Sequence, residues 1–163
     1  MRDYLEVFRE IMRNPEWKHQ FDLTFRPIFD AAGRRLIGPP SSGAWWERIH
    51  KKLPPGAAVG ATQLYFDETF QGQNQGIDTG SLASMNMGQG IRYQTSSIKM
   101  ICLLLTYDKD AAAAVGLNPD QIKERAMQVH QGGIGILVSD INKYSQLGSE
   151  VNVRCPNGKV YPC

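Results

Sequence analysis

The chain has 163 residues, 42% of them hydrophobic and 21% charged, and carries a formal net charge of +2. That length and balance predict one globular domain with a real core and exclude wholesale disorder. The small cationic excess does not by itself announce a nucleic-acid binder, because phosphate affinity comes from clustered cations.

Residues 3 to 14 predict an amphipathic helix. Tyr4, Leu5, Phe8, Ile11 and Met12 recur at helical spacing, and Pro15 follows. Asp3, Glu6 and Glu10 stand where a secretory leader would be apolar and a transit peptide acid-poor, so a nuclear or cytoplasmic protein is expected. From Phe21 to Ile37 the period changes to alternation, and Asp30-Ala31-Ala32-Gly33 sits between apolar pairs, predicting a strand that runs into a hairpin. Ser42 is placed to cap a short helix bearing Trp45, Trp46 and Ile49, which Pro54-Pro55-Gly56 ends.

The segment Ala57 to Phe66 closes on Leu64-Tyr65-Phe66-Asp67-Glu68-Thr69 and predicts a buried strand with acidic residues at its end. Gln71 to Gly90 is rich in Gly, Gln, Asn and Ser and reads as a loop or a weak strand. Ile98 to Tyr107 is the strongest strand signal, although its Met and Leu residues would also suit a buried helix; as a second doubly buried apolar run it is expected beside Val59 to Phe66 in one sheet. Far short of a membrane span and interrupted by Lys99, this run predicts no membrane partner.

Asn118-Pro119 starts a helix with Ile122, Ala126 and Val129 on one face. Gly132, Gly133 and Gly135 predict a break, and a second helix through Ile134, Leu137, Ile141 and Tyr144 is expected to end at Gly148. Val151 and Val153, then Pro156-Asn157-Gly158, then Val160 predict a terminal hairpin. The pattern as a whole is a mixed α/β domain.

Candidate chemistry is sparse. Asp67, at the end of a buried strand, either offers an oxygen ligand to a hard cation such as magnesium or, with Glu68, opens a solvated turn. Asp140 suits a solvated helix face, and Asp108 and Asp110 suit a polar turn. His19, His50 and His130 show no metal or triad spacing. Cys102, Cys155 and Cys163 include no close Cys-x-x-Cys pair, so a structural zinc is not expected. Arg34 and Arg35, and Arg48, Lys51 and Lys52 beside the paired tryptophans, form the candidate nucleic-acid surface, because cations neutralise phosphates and exposed aromatics stack on bases.

An ordered series of blocks carries a family resemblance. Ser41-Ser42-Gly43-Ala44-Trp45-Trp46, Leu53-Pro54-Pro55-Gly56 and Leu64-Tyr65-Phe66-Asp67-Glu68-Thr69 are followed by Met85-Asn86-Met87-Gly88, Ile91-Arg92-Tyr93, the run Ile101 to Tyr107, and Val153 to Tyr161. Together they resemble the N-terminal part of Plavaka-type DDE transposases of eukaryotic mobile elements. The resemblance implies an N-terminal helical and hairpin region over residues 1–56. It also implies a partial ribonuclease H-like sheet with flanking helices and a helical insertion over 57–163. Asp67 matches the first acid of the metal-binding catalytic set, and the second is expected beyond Cys163. Magnesium-dependent cutting and joining of DNA is therefore implied for the complete ancestor, with no cofactor and no catalysis expected of this chain alone. DNA is the implied partner, and the alternative is a non-catalytic module that binds protein or nucleic acid. Three matched places depart from the family: Gly80-Ser81-Leu82-Ala83 replaces a Tyr-Pro strand, Gly88-Gln89-Gly90 replaces the Gly-Asn that follows it, and Leu105 stands where proline is common.

Overall fold

Asp3 opens the first helix, α1 (Tyr4–Arg13), by accepting a hydrogen bond from the Glu6 amide at 2.9 Å. The computed structural model describes residues 1–17, 19–71, 75–145, 152–155 and 158–162, without the side chains of 68–71, 75, 76 and 105. Tyr4, Val7, Phe8, Ile11 and Met12 are the buried face of α1, so Val7 takes the central place expected of Leu5.

The strand expected across Phe21 to Ile37 is reduced to two isolated bridges, Phe21 with Met87 and Phe29 with Arg35. Its turn does form, with the Gly33 amide donating to the Asp30 carbonyl at 3.0 Å and φ of +76° at Gly33. Helix α2 (Ala44–His50) begins at Gly43 with no side-chain cap. The Ser42 hydroxyl donates instead to the Pro39 carbonyl at 2.7 Å, closing the preceding one-turn helix Pro40–Ser42.

Three strands make an antiparallel sheet in the order β1 (Thr62–Gln71), β2 (Gln75–Ser84), β3 (Ile98–Leu105). The two apolar runs expected side by side are thus the outer strands, and the polar, glycine-containing segment passes between them. A central strand gains ladder hydrogen bonds on both edges, which overrides weak side-chain propensity. Gly80 shows what the position requires: a Cβ there would collide with the Cys102 sulfur and lie 3.1 Å from the Phe66 ring. Opposite Gly80 and Ser81 the register shifts, leaving Ile101 as an extra residue on β3. The bulge turns both Ile101 and Cys102 into the core and leaves Met100 and Leu103 outward.

After the short helix α3 (Gln89–Arg92) and β3 comes α4 (Lys109–Ala114), capped by Asp108 and not anticipated from sequence. Reciprocal bonds between Asn118 and Gln121, 2.9 and 3.0 Å, start α5 (Pro119–Ser145). α5 is one helix of 27 residues, not two. Each glycine costs about 1 kcal/mol of helix propensity, but Gly133 lies where a Cβ would be 2.8 Å from Leu104, so its bareness lets α5 reach β3. The helix end expected at Gly148 lies outside the described residues.

The terminal hairpin is present as β4 (Asn152–Arg154) and β5 (Val160–Pro162). Val151, Pro156, Asn157 and Cys163 lie outside the described residues.

α1 and α5 cover one face of the sheet and β4 packs on α1, and in this core Leu82, Ile101, Cys102, Leu137 and Val153 are fully or nearly fully buried. A smaller cluster gathers Val59, Ala61, Phe25, Ile49, Leu53 and Met85 around the fully buried Trp46. Asn86 joins the two. Its side chain donates to Val59 O at 2.6 Å and Asp22 O at 2.9 Å, and accepts from the Ala61 amide at 3.0 Å. Among the described residues, no helix is long and apolar enough to cross a membrane.

Candidate functional site

Strand alternation places Asp67 on the open face of the sheet, away from α1 and α5. Its neighbours Leu64 and Phe66 pack into the core, whereas the Asp67 side chain is exposed. Asp67 is therefore inside β1 and does not open a turn. Thr79, directly opposite on β2, donates its hydroxyl to the Asp67 carbonyl at 3.1 Å.

Two of the other carboxylates considered from sequence are engaged elsewhere. Asp108 caps α4. Asp140 accepts from Lys143 Nζ at 2.8 Å and from the Tyr4 amide at 3.3 Å, and the Lys143 hydrogen bond above all holds its carboxyl below the ordinary value. Among the described residues, no three His, Cys, Asp or Glu side chains gather as a cation site. A two-ion clamp needs several convergent carboxylates. The described donors around Asp67 do not fit one.

An acid that sequence reasoning passed over is Asp78, on the covered face of β2. His130 Nδ1 of α5 lies 2.8 Å from its carboxylate, and the His130 ring lies edge-on to Phe66 at 6.3 Å between centroids. The partners are 52 positions apart, and only the fold brings them together. Cys102 and Cys155 are buried, and burial raises both thiols above their ordinary range, which disfavours the reactive thiolate.

The basic candidates divide into two groups. Arg34 pairs with Asp30 at 2.7 Å. Arg35 reaches Glu47 at 2.9 Å and the Ser42 carbonyl at 2.6 Å, with its guanidinium over the Phe25 ring. Lys51 takes the other Glu47 oxygen at 2.8 Å. Those two cations, Lys51 foremost, hold Glu47 below the usual carboxylate range. Arg35 therefore ties its loop to α2 and Lys51 pairs along α2, whereas Arg34, its side chain 81% exposed, pairs within its own turn. Arg48 and Lys52 are exposed and form no ion pair with a described carboxylate.

The tryptophans separate as adjacent helical residues should, about 100° apart. Trp46 is fully buried and Trp45 is 53% exposed, edge-on to Trp46 at 6.2 Å. Trp46 packs at the end of the sheet, on residues that enter β1 and leave β2, and not on its face. Arg48 lies one turn along α2 from Trp45, so an exposed cation and an exposed indole share one stretch of surface.

Comparison with protein-family models, with curated proteins and with solved structures gave no match to this chain.

Proposed function

We propose that this chain is a transposase-derived module that binds nucleic acid through α2 and does not itself cut or join strands. The observation that carries the proposal is Trp45, half exposed on the helix that bears Arg48 and leads to Lys52, two exposed cations that pair with no described carboxylate. An indole left in water gains little in the free protein. Near exposed cations it is suited to stacking on a base while Arg48 and Lys52 meet the backbone. The descent rests on the ordered sequence blocks, and a sheet led by the Asp67 strand with helices on one face agrees with a partial ribonuclease H-like domain. On this reading the chain acts in the nucleus or the cytoplasm.

The test is anisotropy of a labelled single-stranded oligonucleotide across a salt series. Binding should weaken as salt rises. In the Arg48→Ala/Lys52→Ala double variant the slope of log affinity against log salt should shrink by about 1.4, from two lost phosphate contacts. Absence of binding at about 50 mM salt, or an unchanged slope in the variant, sinks the proposal.

A second reading is favoured by the open face of the sheet, where Met100 and Leu103 are 49% and 53% exposed. A protein partner would cover them. Loss of a co-purifying complex on Met100→Ser/Leu103→Ser, with oligonucleotide binding absent throughout, would favour it over the first.

A further inference from the structure

Beside Trp45 lies a cavity of about 400 Å³ whose walls are Trp45, Tyr4, Tyr144, Met85 and Ile141. We infer that this cavity receives one unpaired nucleobase, an inference that rests on the proposed nucleic-acid binding and locates its base-contacting site.

Size and lining point this way first. Ligand pockets fall in the range of roughly 300–1,000 Å³ and are mostly apolar and aromatic, with a few polar groups to fix orientation. Here the aromatic walls come from three distant parts of the chain. Tyr4 of α1 stacks on Tyr144 of α5, with centroids 6.1 Å apart and planes 26° apart, and α2 adds Trp45. In the lining, the Thr62 hydroxyl is bonded to the Tyr4 hydroxyl at 3.2 Å and the Ser145 hydroxyl donates to the Asn142 carbonyl at 3.2 Å, which leaves each oxygen acceptor capacity for an N–H at a base edge.

Charge selects the occupant. Arg48 and Lys52 supply positive charge along the same helix and its following turn. The nearby carboxylates Glu47 and Asp140 are held in ion pairs with Arg35, Lys51 and Lys143. A planar ring bearing an anionic phosphate satisfies both features, whereas an aliphatic peptide side chain leaves the cations unused.

The arrangement also supplies its own reporter. Trp17 and Trp46 are 7% and 0% exposed, so ligand-induced quenching of intrinsic emission arises chiefly from Trp45. The 163-residue chain is titrated with a single-stranded oligonucleotide, an abasic strand of equal length, and a nucleoside monophosphate. The base-bearing strand should quench the emission and bind about tenfold more tightly than the abasic one, the worth of one stacked base. Tighter quenching by the strand than by the mononucleotide assigns the base to a strand. Equal quenching assigns it to a free nucleotide, and both results uphold the pocket.

By anisotropy, Trp45→Ala and the pocket-filling Ser145→Phe should each abolish the tenfold preference over the abasic strand. Emission unchanged by every base-bearing ligand overturns the inference, as does a preference that survives in both variants. Salt-dependent binding with no preference for bases would refute the pocket alone. Failure of every strand to bind, with the mononucleotide still quenching, would refute only the proposed function.

Discussion

Replacing Asn86 by Ala should remove about 4 kcal/mol of stability. The side chain is fully buried and satisfies three backbone groups from two segments: the carbonyls of Asp22 and Val59 and the amide of Ala61. It also accepts from the Ser84 hydroxyl at 3.3 Å. The backbone bond from the Asp22 amide to the Asn86 carbonyl, 2.6 Å, survives the change and is not counted. A hydrogen bond is worth about 1 kcal/mol net, but a buried group left without its partner costs about 1–3 kcal/mol. Three orphaned groups at the low end of that range, plus a small cavity, give the stated figure. Set against a typical domain stability of about 5–15 kcal/mol, the loss is a large fraction. Urea melts monitored by far-ultraviolet circular dichroism would measure it. Asn86→Asp should be no milder, because it keeps the acceptor for Ala61 and sets a carboxylate against two carbonyls. A loss below about 1 kcal/mol in the Ala variant would mean that water or a backbone shift re-satisfies these groups, and the hub argument would fail.

Trp46→Ala should cost about 3–5 kcal/mol in the same melts and Trp45→Ala less than about 0.5, since the former empties a buried site and the latter trims an exposed side chain. Gly80→Ala should lose about 1–3 kcal/mol by driving a methyl into the Cys102 sulfur; adding Cys102→Ala should restore part of the loss, and strict additivity of the two changes would refute the clash. Asp140 is held below its ordinary value of 3.8 by Lys143 and by the Tyr4 amide. Its contribution is therefore fully present above that value and is lost as pH falls through the lower folded value. Melting temperatures at pH 7 and pH 3 should fall further apart in the parent than in Asp140→Asn. In magnesium or manganese, labelled DNA should stay intact with the parent and with Asp67→Ala alike; cleavage by the parent that vanishes in the variant would reveal acids that the described residues do not show.

What was legible in the sequence was chiefly what local chemistry determines. The 3.6 period and Asp3 located α1, Asn118-Pro119 located the start of α5, and the apolar runs located β1 and β3. β2 was obscured because its place between two strands, and not its own residues, makes it a strand. Side-chain propensity says little about Gly76, Gly80 and Ser81 when both backbone edges are paired. The unity of α5 was hidden for a related reason. Glycine weakens an isolated helix, and only the nearness of Leu104 gives Gly133 a use. At the site, adjacency sufficed to separate Trp45 from Trp46, and composition marked the cations. Which cations are neutralised was not legible, since Arg35 meets Glu47 across 12 positions and Asp78 meets His130 across 52.

The seating of α1 has a consequence for the order in which the protein is made. The Arg2 amide donates to the Ile101 carbonyl at 2.8 Å, and the Tyr4 amide to Asp140, 136 positions later. α1 therefore leaves the ribosome before β2, β3 and α5, the elements that bury Val7, Phe8, Ile11 and Met12 in the folded chain. During that interval a strongly apolar stripe faces water, the condition under which nascent chains recruit holding chaperones or aggregate. A nascent chain stalled at about residue 95, before β3 exists, should bind such chaperones through α1 and release them as translation passes the middle of α5.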